Sequence, residues 1–501
     1  MHINTNKINL GVELDKNGGI SNEMLMLALA SQNLGLKGDV ITGEEVKFHQ
    51  FPWMTFPEGT TYTRAIEILE AKRKEENTVI SFQRIFRFRP DDGANAAAEV
   101  LKSRYGLTIG KSTQMMFGTR PPVIRTIQVA HNKTKQVPWE KIGIPILEGA
   151  DITLTSTMDP DYGPVFAVVV SSPKKHKTEI EALFDEIDLY LKDNSIYRGK
   201  ALVGADELEF LDTSTFDANK IVFSDEVTAT LNAGLFGALK FSPEFRQDGI
   251  PLKRSLLLYG PYGTGKSSIG NMTAQVAESN GWTFLMARTG RDKVKDVLRT
   301  AKLYQPAVVF VEDIDTQSST SKPQEVSELL ESFDGITAKG TEVMLVMTTN
   351  HVDQIHAGMM RPGRLDFVVE IAALDRNGTE RLVRAVVAPG KLDPTVDFDE
   401  VYKNMEKFEP AFVRATADRA KTFALTRAEG KPDYVLTTKD LVSAAQSLHP
   451  QLELLRKASE GIPEPEIETA LAKLLDERIG NVEVHDNYGD KMFDLIVPEA
   501  V

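Results

Sequence analysis

Apolar and polar positions follow three different rhythms along this chain. From Ser255 onward, short continuous apolar runs recur between helical stretches: Ser255 to Tyr259, Thr283 to Ala287, Ala307 to Val311, Val343 to Met347 and Phe367 to Ile371. Strands that are apolar on both faces and spaced by helices predict a largely parallel sheet covered on both sides, an α/β sandwich. Residues 1–150 instead mix helical patterns, Asn22 to Ala30 and Thr63 to Lys74, with the strand-like run Thr78 to Phe88 and proline breaks at Pro121-Pro122, Pro138 and Pro145. That mixture predicts an α+β region. Beyond residue 375 helical spacing takes over, in Asp397 to Lys407, Ala411 to Arg427 and Thr438 to Leu448.

These rhythms divide the chain into an N-terminal α+β accessory region (1–150), a second accessory block or linker (151–215), an α/β domain (216–375), a helical lid (376–460) and an acidic C-terminal tail (461–501). The second block reads as an apolar strand from Val165 to Val170, a basic turn from Pro173 to Lys177 and an acidic amphipathic helix from Glu179 to Asp193. The tail ends in the apolar run Met492 to Val497. At 501 residues the chain is too long for one ordinary core, which agrees with several domains.

Composition narrows the setting. There is no cysteine, so disulfides and thiolate metal sites are excluded. The opening residues, MHINTNKINLGVELDK, lack a basic stretch followed by an apolar run, and no segment approaches the roughly 18 consecutive apolar residues of a membrane span. A cytoplasmic location is expected. The net charge of -14 argues against general affinity for nucleic acid, which needs clustered cations. The eight histidines show no metal-ligand spacing.

The chemistry concentrates in the α/β stretch. Gly260-Pro261-Tyr262-Gly263-Thr264-Gly265-Lys266-Ser267, with Ser268 after it, directly follows the first apolar strand and opens a helix. Its glycines let the backbone curl so that N–H groups and a helix N-terminus face a phosphate. Lys266 is placed to reach the β- and γ-phosphates of a nucleotide, and Ser267 to hold Mg²⁺ through its hydroxyl. The strand Ala307 to Val311 ends in Glu312-Asp313-Ile314-Asp315. Acid at that tip, beside a phosphate loop, is where Mg²⁺ needs oxygen and attacking water needs a base. A third strand ends at Asn350, an amide able to orient water. Arg361 and Arg364 then stand three apart across the turn Arg361-Pro362-Gly363-Arg364, as planar cations suited to phosphoryl-transfer charge.

These elements, in this order, resemble the AAA family of ATPases over about residues 215–450. The flanking segments Lys253 to Tyr259 and Leu329 to Gly335 belong to the same likeness. The resemblance implies an AAA P-loop NTPase fold with a helical lid, using ATP and Mg²⁺. Gly260 through Ser268 would bind ATP, with Lys266 as the phosphate-loop lysine. Ser267 and Glu312 would hold the metal, Asp313 would act as base and Asn350 as sensor. Arg361 and Arg364 would be arginine fingers reaching a neighbouring subunit. A ring of six or seven copies is therefore implied, acting on a protein client as a chaperone-like motor. The family usually has Asp before Glu at the acidic strand end; here Glu312 precedes Asp313. That order, with Gly265-Lys266-Ser267-Ser268 and Thr348 to Asp353, is most similar to the Bcs1 branch. The loop Arg288 to Lys293 lacks the aromatic with which many AAA unfoldases grip a chain.

Two other functions fit the same residues: a nucleic-acid motor or loader, and a nucleotide-gated scaffold with little turnover. The run Phe82 to Arg89, aromatics interleaved with arginines, reads as an ordinary strand with arginine stems along one face, not a base-stacking platform.

Overall fold

A computed structural model describes residues 38–42, 45–48, 62–106, 109–116, 118–143, 146–314, 333, 340–352 and 364–459. The chain forms two compact units. One comprises the described residues up to Ala218, Asp225–Gly260 and Lys266–Ile371; the other comprises Asn219–Ser224, Pro261–Gly265 and those from Ala372 on. The expected helix Asn22 to Ala30, and the tail 461–501, lie outside the described residues.

The first unit begins with an antiparallel pair, β1 (Gly38–Thr42) and β2 (Glu45–Phe48), and helix α1 (Tyr62–Glu76). Strand β3 (Val79–Phe86) leads into helix α2 (Pro90–Tyr105), then into short strands β4 (Ile109–Gly110), β5 (Thr113–Met115) and β6 (Gly118–Arg120). Long strands β7 (Val123–Ala130), β8 (Lys133–Gly143), β9 (Asp151–Asp159) and β10 (Gly163–Pro173) come next, then helix α3 (Lys177–Asn194). Of these, β3, β4 and β7 to β10 make one antiparallel sheet, ordered β3-β10-β9-β8-β4 with β7 also on β8. Strands β8 and β9, on either side of residue 150, pair from Glu140↔Leu154 to Gly143↔Asp151. The two stretches expected as separate blocks, 1–150 and 151–215, thus both supply strands to this sheet. The reason is chemical alternation: Ile152, Leu154, Phe166, Val168 and Val170 all point to one face and are buried there. Helix α2 fits closely against that face because a Cβ at Gly93 would lie 2.0 Å from the Phe166 ring.

The second sheet uses β11 (Ala201–Val203), β12 (Glu209–Phe210), β13 (Arg254–Tyr259), β14 (Thr283–Ala287), β15 (Ala307–Val311), β16 (Val343–Thr349) and β17 (Phe367–Glu370). Their order is β12-β11-β14-β15-β16-β13-β17, parallel at every pairing except β11 with β12. Helices α4 (Asp225–Leu231), α5 (Gly237–Lys240) and α6 (Ser242–Gln247) precede β13; α7 (Lys266–Ser279) and α8 (Val294–Leu303) cross between its strands. Every residue of β15 and β16 is buried, as the continuous apolar runs require.

One apolar core joins the two sheets, running from Phe86, Phe166 and Leu183 through Tyr197 and Tyr304 to Val309 and Leu345. Arg89, at the start of α2, crosses this junction almost wholly buried, 2% exposed. Its guanidinium donates to the carbonyls of Tyr162 (3.2 Å) and Pro164 (2.8 Å) and to the Thr300 hydroxyl on α8, and pairs with Asp206 at 3.0 Å. The other arginines of this run are also occupied: Arg84 pairs with Asp185 and lies over the Phe184 ring, and Arg87 lies 5.0 Å from the Tyr162 ring centre. The basic turn before α3 is a short 3-10 helix, Lys174–His176.

The second unit is helical: α9 (Arg376–Val386), α10 (Phe398–Lys403), α11 (Pro410–Arg427) and α12 (Thr438–Ser459) surround Leu382, Val401, Phe408, Val413, Leu441 and Leu448. Its helix starts are written locally. Asp375 accepts from Gly378 N at 2.7 Å, and Asp397 accepts from the amides of Asp399 and Glu400. Among the described residues no helix is long and apolar enough to cross a membrane, and no group of three acidic or imidazole side chains could by itself hold a metal ion.

Candidate active site

In a parallel sheet every strand ends at the same edge, so neighbouring strands deliver the residues beyond their tips to one place. Strand β16 lies between β13 and β15, with Tyr259 beside Thr349 and Val311 beside Met347. Gly260, the Glu312-Asp313 pair and Asn350 therefore emerge side by side.

The phosphate loop leaves β13 at Gly260. Ile371 N donates to Tyr259 O at 2.7 Å, and a Cβ at Gly260 would meet Ile371 O at 2.2 Å, so only glycine fits. Gly263 and Gly265 take positive φ, 82° and 102°. At the far end, buried Lys266 opens α7 and donates from Nζ to Gly260 O at 2.7 Å, bringing the two ends of the loop together. Ser267 is exposed in the first turn of α7, with Ser268 half-buried behind it. Tyr259 donates to Glu370 at 3.3 Å; burial, then that carboxylate, pushes its phenol above the ordinary range, so the hydroxyl keeps its proton.

The loop's middle belongs to the second unit and is held there. Thr264 Oγ1 donates to Pro261 O at 2.9 Å, and Ala411 N donates to Gly263 O at 3.0 Å. Phe223 lies 3.4 Å from where a Cβ on Gly265 would stand, and its carbonyl accepts from Arg381 at 2.9 Å. Neither Phe223 nor Arg381 stands out in the sequence as a partner of this loop.

Glu312 and Asp313, both half-buried, come directly after β15. Asp313 has φ 43°, a left-handed conformation uncommon outside glycine. Its N–H donates to Thr348 Oγ1 at 2.9 Å, and Asn350 Nδ2 donates to its Oδ1 at 3.0 Å. The amide orientation of Asn350 is set by this contact, because the reverse would put two acceptors against each other. Asn350 Oδ1 is buried without a hydrogen-bond partner among the described residues. An orphaned acceptor beside a carboxylate is where a water molecule could donate.

Lys266, Asp313 and Asn350 are thus assembled at one sheet edge, with Ser267 and Glu312 alongside. Arg364 is elsewhere. Ser255 Oγ donates to Arg364 O at 2.7 Å, and Asp366 Oδ2 accepts from Ser255 N at 2.8 Å, fixing exposed Arg364 at the opposite end of β13. Five residues of strand separate Ser255 from Gly260, roughly 17 Å at about 3.3 Å per residue. Arg361 lies outside the described residues, as do Met359 and Met360. The non-aromatic loop after β14 is tied down locally. Arg288 donates to Glu209 Oε1 at 2.7 Å and to Glu207 O at 3.2 Å, and Asp292 Oδ2 accepts from Arg288 N at 2.9 Å.

Comparison with known proteins agrees with this geometry. Residues 256–373 match the ATPase family associated with various cellular activities (AAA). A 26S proteasome regulatory subunit 6B homolog of Encephalitozoon cuniculi is 31% identical over 217 residues, 40% of this chain and 55% of that protein. The proteasome-activating nucleotidase of Methanococcus vannielii is 32% identical over 240 residues, 44% of this chain and 56% of that protein. A Saccharomyces cerevisiae 26S proteasome regulatory subunit 6B homolog is 31% identical over 218 residues, 40% and 50% of the two chains. The chain spans about half the length of the curated relatives it matches. With a phosphate loop at the mouth of a parallel sheet and this family match, residues 256–373 are an AAA-type ATPase domain of P-loop α/β fold.

Proposed function

We propose that this chain hydrolyses ATP as an oligomer of itself and uses the energy to remodel or translocate a protein client. The observation that carries the reading is the grip of Asn350 on the Asp313 carboxylate at the sheet edge where Lys266 closes the phosphate loop. In this reading Asp313 takes a proton from water, Asn350 Oδ1 orients that water, and Lys266 stabilises charge on the γ-phosphate. Residues Gly260 to Ser268 hold the nucleotide. An exposed hydroxyl and a strand-end carboxylate suit Mg²⁺, which keeps most of its water and takes few protein ligands, so Ser267 and Glu312 would hold it. The metal would supply charge neutralisation at the β- and γ-oxygens.

The position of Arg364, at the other end of β13 from Lys266, supports its use by a neighbouring copy, and we extend the same role to Arg361. Heterologous contact of this kind closes into a ring when the rotation between copies closes, and we take the ring to have six or seven copies, as the family resemblance implies. The proteasomal names of the relatives favour a protein client. The finer placement near the Bcs1 branch has its support in the Glu312-Asp313 order together with Gly265-Lys266-Ser267-Ser268 and the stretch Thr348 to Asp353. The lack of cysteine fits a reducing cytoplasm. We keep 376–460 as the helical lid and 461–501 as a tail.

The test is steady-state ATP hydrolysis against protein concentration for the wild type, Lys266→Ala and Arg364→Ala, with particle size monitored by light scattering. Specific activity should rise with assembly, and both substitutions should abolish it. Assemblies that bind ATP without turnover would replace the motor with a nucleotide-gated scaffold.

A further inference from the structure

We propose that Thr348 is a positioning residue for Asp313, and that it makes an aspartate serviceable where the resemblance leads one to expect a glutamate. The inference rests on the reading of Asp313 as the base for ATP hydrolysis. Exchanging the acids shortens the arm at position 313 by one methylene, about 1.5 Å, and a 1 Å misplacement at a reacting centre can cost about a hundredfold in rate. A shorter arm needs a different starting point for its Cβ. The left-handed backbone of Asp313, φ 43°, supplies a departure that an ordinary strand end would not. Aspartate is among the few side chains that tolerate that region, at a cost, so surrounding contacts must hold it there.

Thr348 provides two of those contacts. Its Oγ1 accepts from Asp313 N at 2.9 Å, and its carbonyl accepts from Ile314 N, also at 2.9 Å. The side chain is 2% exposed, on a strand whose preceding five residues, Val343 to Met347, are all apolar. A hydroxyl there is costly without a partner. Two residues on, just past the end of the strand, Asn350 holds the carboxylate. Strand β16 and the residue just past its end therefore grip Asp313 at two points, the backbone through Thr348 and the carboxylate through Asn350.

The experiment compares the full chain carrying Thr348→Val, which keeps shape but loses the acceptor, with Thr348→Ser, which keeps it. Steady-state kcat, the Kd of a fluorescent ATP analogue, Tm, and amide hydrogen exchange of the peptide containing Asp313 are measured. Thr348→Val should lower kcat tenfold or more, leave Kd within twofold, and speed exchange at Asp313; Thr348→Ser should restore kcat and exchange to within about threefold of wild type. Unchanged exchange and kcat in Thr348→Val overturn the proposal, as does a serine variant that behaves like valine. A fall of kcat and Tm together with weakened ATP binding would mean general damage and equally overturn it. If the wild type does not hydrolyse ATP, the functional reading fails, and the exchange comparison still decides whether Thr348 holds Asp313.

Discussion

Asn350 holds the Asp313 carboxylate, Nδ2 to Oδ1 at 3.0 Å, and leaves its own carbonyl oxygen buried and without a partner among the described residues. In the function proposed above, Asn350 orients the attacking water through that oxygen. Removing one such oriented dipole from an active site typically costs about 10²–10³ in kcat. We expect Asn350→Ala to lose about that much while its affinity for ATP stays within about threefold, as read by a coupled hydrolysis assay and by equilibrium binding. Loss of binding in proportion to turnover would show that Asn350 serves the nucleotide and not the water.

Arg364 cannot serve the loop at the C-terminal tip of its own β13, because its backbone is anchored through Ser255 at the strand's other end. Lys266→Ala and Arg364→Ala should each be inactive alone and active when mixed. In an equal mixture about a quarter of the sites would join an intact Lys266 to an intact Arg364 from the next copy. The measurement is ATP turnover after co-assembly of the two purified variants. No recovery in mixed particles of normal size would rule out a site shared between copies.

Much of this site can be read from residues alone, for a physical reason. Strands buried on both faces are continuous apolar runs, so the pattern bounds Thr283 to Ala287 and Ala307 to Val311 as the structure has them, and the acids beyond the second of these tips are placed with it. Pairing between distant strands leaves no such mark. Strand β3 pairs with β10, Phe86 beside Phe166, and periodicity cannot say which strand meets which. The same blindness hides Arg89, which reads in the sequence as one more arginine stem and is in fact buried against α8. Thr348 carries a faint signal, a hydroxyl closing an apolar run, but its partner is visible only once β15 and β16 lie side by side.

Arg89 ties the antiparallel sheet to α8 through four acceptors, and burial lowers its pKa from the ordinary arginine value while Asp206 opposes that fall. Truncating one member of a buried charged network usually costs about 3–5 kcal/mol. Asp206 is half-exposed and can be hydrated, so we place Arg89→Met at about 3 kcal/mol, measured by urea unfolding. A lysine offers one ammonium in place of a planar fork and should recover less than half of the loss. A change under about 0.5 kcal/mol would mean that the apolar core alone holds the junction.

Asp92, one turn along α2 from Arg89, gives the junction a pH dependence. Its Oδ2 accepts from Ser195 Oγ at 2.6 Å and its Oδ1 from Ile196 N at 3.0 Å, with Tyr304 and Arg198 also facing it. Burial nevertheless outweighs these partners and raises its pKa from the ordinary 3.8 to about 6. Between those values the folded chain holds a proton that the unfolded chain has lost, so stability falls as pH rises through that window and levels off above it. A rise of that size corresponds to roughly 3 kcal/mol for a group so buried. Asp92→Asn keeps an acceptor for Ile196 N and cannot ionise. We expect the wild type to lose Tm from about pH 4 to about pH 6 relative to Asp92→Asn, whose profile should be flatter by a large part of that amount. Parallel Tm profiles for the two proteins would show that the Ser195 and Ile196 hydrogen bonds hold the carboxylate ionised across the whole range.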